Sequence, residues 1–428
     1  IAKLPPGSIS QPIESSTQSG RMFQEIRQLR DAGLAADSFS LMQKLDLSGN
    51  QLTELPPDLS QLQLETLDLS DNQLTELPPE FGQMRPSVYS DLVSPGDAYL
   101  FNLKLNLSGN RLTDLPDALL QLDHLTELNL SGNQLTEFPS DLFWMAKLSR
   151  LTDLNLGDNQ LTALPDTFFR MDRLRSLNLS GNRFATVPPA IGDLTSVVHL
   201  GLDDNQLTEL PPELGQLSKL VSLDLSGNRL TALPPELKRS SRLRHLNLSA
   251  NQLKNLPAGL DALLPQLISL DLSGNQLTPA IELEQVDRLP RRLRQLNLSD
   301  NQLTAVPPAV TQFRLEVLNL SRNQLTDLPP ELDQLTRLTQ LDLSHNLFSE
   351  IPPVLSQLRR PLLYLDLRGN PLTTCPLPLR WRIDRYIFPP DDDYGNFNHY
   401  SSDLNHWHLS SPTSTEHPDL PFLDLCPE

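Results

Sequence analysis

The sequence predicts an α/β solenoid: a curved right-handed horseshoe with a parallel sheet on its concave face and a mostly irregular, proline-rich convex side. Three observations predict it. A phrase close to LxxLxLSxNxLTxLP recurs fourteen times. Its asparagine falls at Asn50, Asn72, Asn110, Asn133, Asn159, Asn182, Asn205, Asn228, Asn251, Asn275, Asn301, Asn323, Asn346 and Asn370. Of the thirteen intervals, ten are 22, 23 or 24 residues, two are 26 and one is 38, the period of a stacked-coil architecture.

One repeat shows why each part is spelled as it is. In Leu125 to Leu130, Leu128 and Leu130 alternate as a strand with one buried face does. Asn133 then turns the chain, its amide bonding backbone groups, because a buried polar side chain is tolerable only when satisfied. Leu135 and Phe138 point back inward, Pro139 opens the return and Leu142 closes the coil. No coil covers its own apolar side, so stability comes from stacking. At about 4.8 Å per strand, fourteen coils give a sheet roughly 60 Å long. With only 5% aromatics, leucine fills the core. Most of the 38 prolines sit in the LPP or LP step, where no ladder N–H is needed.

Three regions follow. Residues 1–41 read as an extended lead-in and a helical cap, with Met22, Phe23, Ile26 and Leu29 at helical spacing over the first coil. Residues 42–375 form the fourteen-repeat solenoid, interrupted near 85–101 by the 38-residue interval. Residues 376–428 form an aromatic-rich cap and tail. Ile1 in place of Met suggests a removed targeting segment or a fragment. No apolar run reaches the roughly 18 residues a transmembrane segment needs.

Two segments are the candidate partner-binding surfaces. The insertion carries Val88, Tyr89, Leu92, Tyr99 and Phe101 between turn signals, and projections from a regular scaffold are usual recognition sites. The tail carries Trp381, Tyr386, Tyr394, Phe397, Tyr400 and Trp407, more aromatics than capping needs. A tolerated surface loop is the alternative for the insertion. Of the two cysteines, Cys426 lies in the tail and Cys375 immediately before it. Joined, they would stabilise by about 3–4 kcal/mol and imply an oxidising compartment; unrelated thiols are the alternative.

The concave face varies little. The column between the inward leucines reads Asp46, Asp68, Asn106, Asn129, Asn155, Asn178, Gly201, Asp224, Asn247, Asp271, Asn297, Asn319, Asp342 and Asp366. The next outward residue is Ser in eleven of fourteen coils. Such a ladder lacks the Trp, Tyr or Arg anchors of hot spots and reads as mostly structural. Asn106, Asn129, Asn178, Asn247, Asn297 and Asn319 also begin Asn-Leu-Ser triplets, which are better read as the repeat's own spelling than as glycosylation sites.

The net charge of −19 argues against nucleic acid. Acids recur after the turns, as in Glu54, Glu76, Asp114, Glu209 and Asp327, either as a solvated surface or as a strip facing a basic partner. No nucleophile sits on a strained elbow with a base in view, and no phosphate-cradling glycine motif occurs. Asp391, Asp392 and Asp393 with His399, His406 and His408 lack tight ligand spacing. The expectation is no enzyme, no metal and no cofactor.

The phrase LTELNLSGNQLTEFP and its relatives resemble the leucine-rich-repeat superfamily over roughly residues 42–375. The LPPELGQLxxL form at Leu210 to Leu220 looks most like Ras-suppressor and Scribble-like scaffolds, plant Ras-group repeat proteins and bacterial Roco repeats. That resemblance implies protein binding. NPLTTCPLPLRW is instead similar to the cysteine-containing caps of extracellular members, with Cys375 in the first cysteine's place but no close second one. The expected function is a non-enzymatic interaction scaffold, with a structural subunit of a larger assembly as the alternative. The expected location is secreted or exported, with the cytoplasm as the alternative.

Overall fold

The computed structural model describes residues 43–84, 102–140, 147–256, 260–278 and 292–373. Fourteen strands, β1 (Lys44–Asp46) to β14 (Tyr364–Asp366), form one parallel sheet in strict chain order. Most are three residues long. The register runs leucine on leucine, from Leu45 beside Leu67 to Leu341 beside Leu365. Among the described residues its one shift lies between β3 (Leu103–Asn106) and β4 (Leu125–Asn129), near the end of the 38-residue interval.

The convex returns are more regular than the sequence suggested. Most are single five-residue 3₁₀ turns such as Pro212–Gln216 and Pro330–Gln334. The second Pro of LPP takes the first helical position, where a missing N–H costs nothing, and the turn then packs the following Leu inward, as with Leu214 and Leu332. Coil 9 instead carries a short α-helix, Leu260–Leu263.

Leucines line the core from end to end, yet four of its largest fully buried side chains are Phe81, Phe168, Phe169 and Phe348. Phe138, Phe168 and Phe169 meet edge to face, with centroids 5.0 and 5.4 Å apart. They pack where a 26-residue interval separates coils 4 and 5.

The turn asparagines bind the coils together. In coil 7, Asn205 Nδ2 donates to Leu179 O, Leu202 O and Asp203 O at 3.0, 3.2 and 3.0 Å, while Oδ1 accepts the Phe184 N–H at 3.0 Å. The pattern repeats from Asn72 to Asn346. Each amide closes its own turn and ties it to the preceding coil.

Candidate functional site

The exposed side of the sheet is built from three columns. The central one is the Asx column, and its side chains are largely engaged within the molecule. Asp68 Oδ1 accepts both the N–H and the hydroxyl of Ser70, at 2.9 and 2.6 Å, and Asn129, Asp224, Asp271, Asn297 and Asn319 hold Ser131, Ser226, Ser273, Ser299 and Ser321 in the same way. Asn247 and Asn297 also donate across strands to Asp224 and Asp271, at 3.1 and 3.0 Å. These bonds account for the uniformity of the column.

Coil 7 breaks the column. Gly201 stands where the Asx should be and Asp203 where Ser should be. A Cβ at position 201 would lie 2.8 Å from Asn178 Oδ1 and 2.9 Å from Ser180 Oγ, so the glycine opens the room in which Asp203 receives the Ser180 hydroxyl. Burial, and then the Asp224 charge, push the Asp203 carboxyl up from 3.8 to about 6.

The second column flanks this rung with two histidines, His199 on β7 (His199–Gly201) and His245 on β9 (His245–Asn247). Burial holds both imidazoles below their usual value. His245 Nδ1 lies 2.8 Å from Ser269 Oγ, whereas His199 Nδ1 is buried without a partner. Towards the amino-terminal coils the column carries a Lys104–Glu127 ion pair of 2.6 Å. At β14 it carries Tyr364, whose hydroxyl donates to Asp366 at 3.1 Å, with Arg368 donating to the same carboxylate at 2.6 Å. Burial, and then Asp366 and Asp342, raise the Tyr364 phenol. Burial would raise Asp366 too, but the Arg368 bonds lower it on balance.

A third column, immediately before the first framework leucine, escaped the sequence reading. Arg150, Arg173, Lys219, Arg242, Arg292, Arg314 and Arg337 occupy that position in seven of the nine coils from 5 to 13, with Ser196 and Gln266 in the other two. All but Arg150 in this run of cations are exposed. The acids foreseen from the sequence, Glu54, Glu76, Asp114, Glu209 and Asp327, are exposed on the other side, where the chain leaves the strand. The entry edge of coils 5–13 therefore carries a run of cations, with these acids on the opposite, exit side.

Val88, Tyr89, Leu92, Tyr99, Phe101, Trp381, Tyr386, Tyr394, Phe397, Tyr400, Trp407, Cys375 and Cys426 lie outside the described residues. Among the described residues, no three His, Cys, Asp or Glu side chains converge as a metal site, and no helix is long and apolar enough to cross a membrane.

Leucine-rich-repeat family models match residues 141–184, 195–253, 218–277 and 291–348, a two-copy model matches 103–144, and a single-repeat model matches 42–62 and 63–84. The chain belongs to the leucine-rich-repeat family. A leucine-rich-repeat protein of Leptospira interrogans is similar in structure at 29% identity and TM-score 0.59, over 85% of this chain and 95% of that one. An internalin of Listeria monocytogenes shares the fold at 24% identity and TM-score 0.61, over 77% and 88%. The leucine-rich-repeat ectodomain of the Arabidopsis thaliana receptor kinase GASSHO1/SCHENGEN3, solved with CASPARIAN STRIP INTEGRITY FACTOR 2, is 30% identical with TM-score 0.55. That match covers 78% of this chain and 42% of the ectodomain. Among curated proteins, no sequence matches. Leucine-rich-repeat domains are generally protein-interaction modules.

Proposed function

We propose that this leucine-rich-repeat chain is a non-enzymatic protein-binding scaffold, a rigid solenoid that displays its recognition elements at the edges and interruptions of the coil. The observation that carries this reading is the state of the Asx column. One oxygen of each repeated residue is already bonded to the serine of its own turn, so part of the hydrogen-bonding capacity in the middle of the concave face is spent within the molecule. In this proposal partner contacts concentrate in Val88 to Phe101 and in Trp381 to Trp407. Deleting residues 86–98 is expected to leave the solenoid folded by circular dichroism and to weaken capture of the natural partner. Intact capture by the deletion variant would reduce the insertion to a tolerated loop.

An exported location, with Cys375 bonded to Cys426, belongs to the same reading. It is supported by the receptor ectodomain among the structural neighbours and by the confinement of both cysteines to residues 375–428. Non-reducing mass mapping of natively isolated protein is expected to find the bond, and free thiols at both positions would return the chain to a cytoplasmic scaffold. The uniform face column also favours permanent membership of a larger assembly. Native mass measurement separates a fixed stoichiometric complex from a monomer that binds transiently.

A further inference from the structure

We infer that the strand-entry edge of coils 5–9 docks an extended acidic segment of a protein partner, centred on a recess between Arg173, Arg175 and Lys219. The inference rests on the protein-binding reading and adds to it one further surface and one partner chemistry.

The recess is an open hollow of about 410 Å³, to which Thr152, Ser196 and Val198 also contribute, with Asp172 as its one acid. Backbone bonds fix the coils around it: Arg175 N–H donates to Thr152 O, and Val198 N–H to Arg175 O, both at 2.7 Å. Neighbouring coils repeat at about 4.8 Å, so the cations stand on a ruler set by the sheet. Lys219 Nζ reaches Ser196 Oγ at 3.4 Å. Arg173 and Arg175 form no ion pair among the described residues. Three exposed cations around one hollow are thus available to a carboxylate, and a guanidinium meets a carboxylate bidentately.

The same edge already holds one carboxylate. Glu316 lies one coil along from Arg294 in the column that contains Arg175, and Arg294 Nη1 contacts its Oε1 at 2.7 Å. That pair shows a guanidinium of this edge holding a carboxylate through a single contact.

Two features favour a peptide over a dense polyanion. The cationic column is broken at Ser196 and Gln266, which suits acids at selected positions better than uniform charge. The net charge of −19 repels any long polyanion that reaches past the edge. A short segment lying on the edge is governed by its nearest cations, because screening at physiological salt sets in within about 8 Å. Arg173 and Lys219 sit two coils apart, roughly 9.6 Å. A polyproline II segment rises about 3.1 Å per residue, so acids at every third position recur at about 9.3 Å on one side.

The test is fluorescence anisotropy on the full chain with a dye-labelled peptide of repeated Glu-Pro-Pro triplets, and with Gln-Pro-Pro triplets as the neutral control. The acidic probe is expected to bind and the neutral one not to. Combined Arg173→Glu, Arg175→Glu and Lys219→Glu changes should weaken binding at least tenfold, and the corresponding Gln changes provide a milder variant should the reversals disturb folding. Arg183→Glu with Arg229→Glu, on the strand-exit side, should leave binding within about twofold. Absence of acidic-peptide binding by the unaltered chain, or equal binding by the Gln or Glu triple variant with unchanged circular dichroism, overturns the inference. Preference for a sulfated oligosaccharide over the peptide also overturns it. If the natural partner co-purifies equally with the triple variant, this edge is excluded while the scaffold reading stands.

Discussion

Two columns of amide and acid side chains run the length of the solenoid, and they do different work. From Asn72 to Asn346 the turn asparagines are buried, and of the four bonds Asn205 makes, two close its own turn and two reach into the coil before it. The face residues are half-buried, and Asn129 satisfies one neighbouring serine within its own turn. The same residue type is a keystone between coils in one column and a local fastener in the other. Burial and the origin of the bonded groups decide which.

Removing a keystone should break this contrast most visibly. Asn205→Ala leaves the Phe184 N–H and the carbonyls of Leu179, Leu202 and Asp203 without the amide that satisfies them. A loss of about 3 kcal/mol is expected, at the upper end of the cost of unsatisfied buried groups. Asn129→Ala, next to solvent, should cost less than about 1 kcal/mol. Urea unfolding of both variants measures the difference, and equal losses would erase the distinction between the columns.

A second effect is expected where the face column breaks its own rule. The Asp203 carboxyl is raised to about 6 by burial and by Asp224, so the folded chain holds that proton more tightly than the unfolded chain does. The associated stability is complete below about pH 4 and is lost as pH rises through about 6. Asp203→Asn carries no charge to bury. It should therefore stabilise the fold by about 1–2 kcal/mol at pH 7.5, and the gain should fade towards pH 4.5. Thermal unfolding at the two pH values checks this, and a gain that grows on acidification would reverse the assignment.

How much of this was legible in the residues depended on whether a position repeats. The strands, their order and the keystone role of Asn133 and its relatives follow from period and spacing, because every coil solves the same packing problem. The irregular rung was visible as Gly201 and Asp203, yet nothing in the spelling says that the missing Cβ at 201 is what admits the Asp203 carboxylate. The basic edge was hidden differently. A net charge of −19 averages the entry and exit edges, and the cations of Arg173, Lys219 and Arg242 emerge only when coils are aligned on the leucine that follows them. The 3₁₀ returns were written in the LPP step but read only as irregular.

The smallest expected effect concerns the residue that introduces each keystone. It adopts a left-handed backbone in every coil, as glycine at Gly227 (φ 63°) and as alanine at Ala250 (φ 51°). An L side chain there is strained and, unlike Asp or Asn, alanine has no polar group to bond locally in compensation. Ala250→Gly removes the strain but gives the unfolded chain more freedom to lose. The two terms oppose each other, and a net gain of about 0.5–1 kcal/mol is expected because the backbone penalty of roughly 1–2 kcal/mol is the larger. Gly227→Ala in the preceding coil should lose more than that, because its Cβ would also meet the Asp204 carboxylate. Chemical unfolding of the pair measures both, and a loss in Ala250→Gly would mean that the turn tolerates alanine without strain.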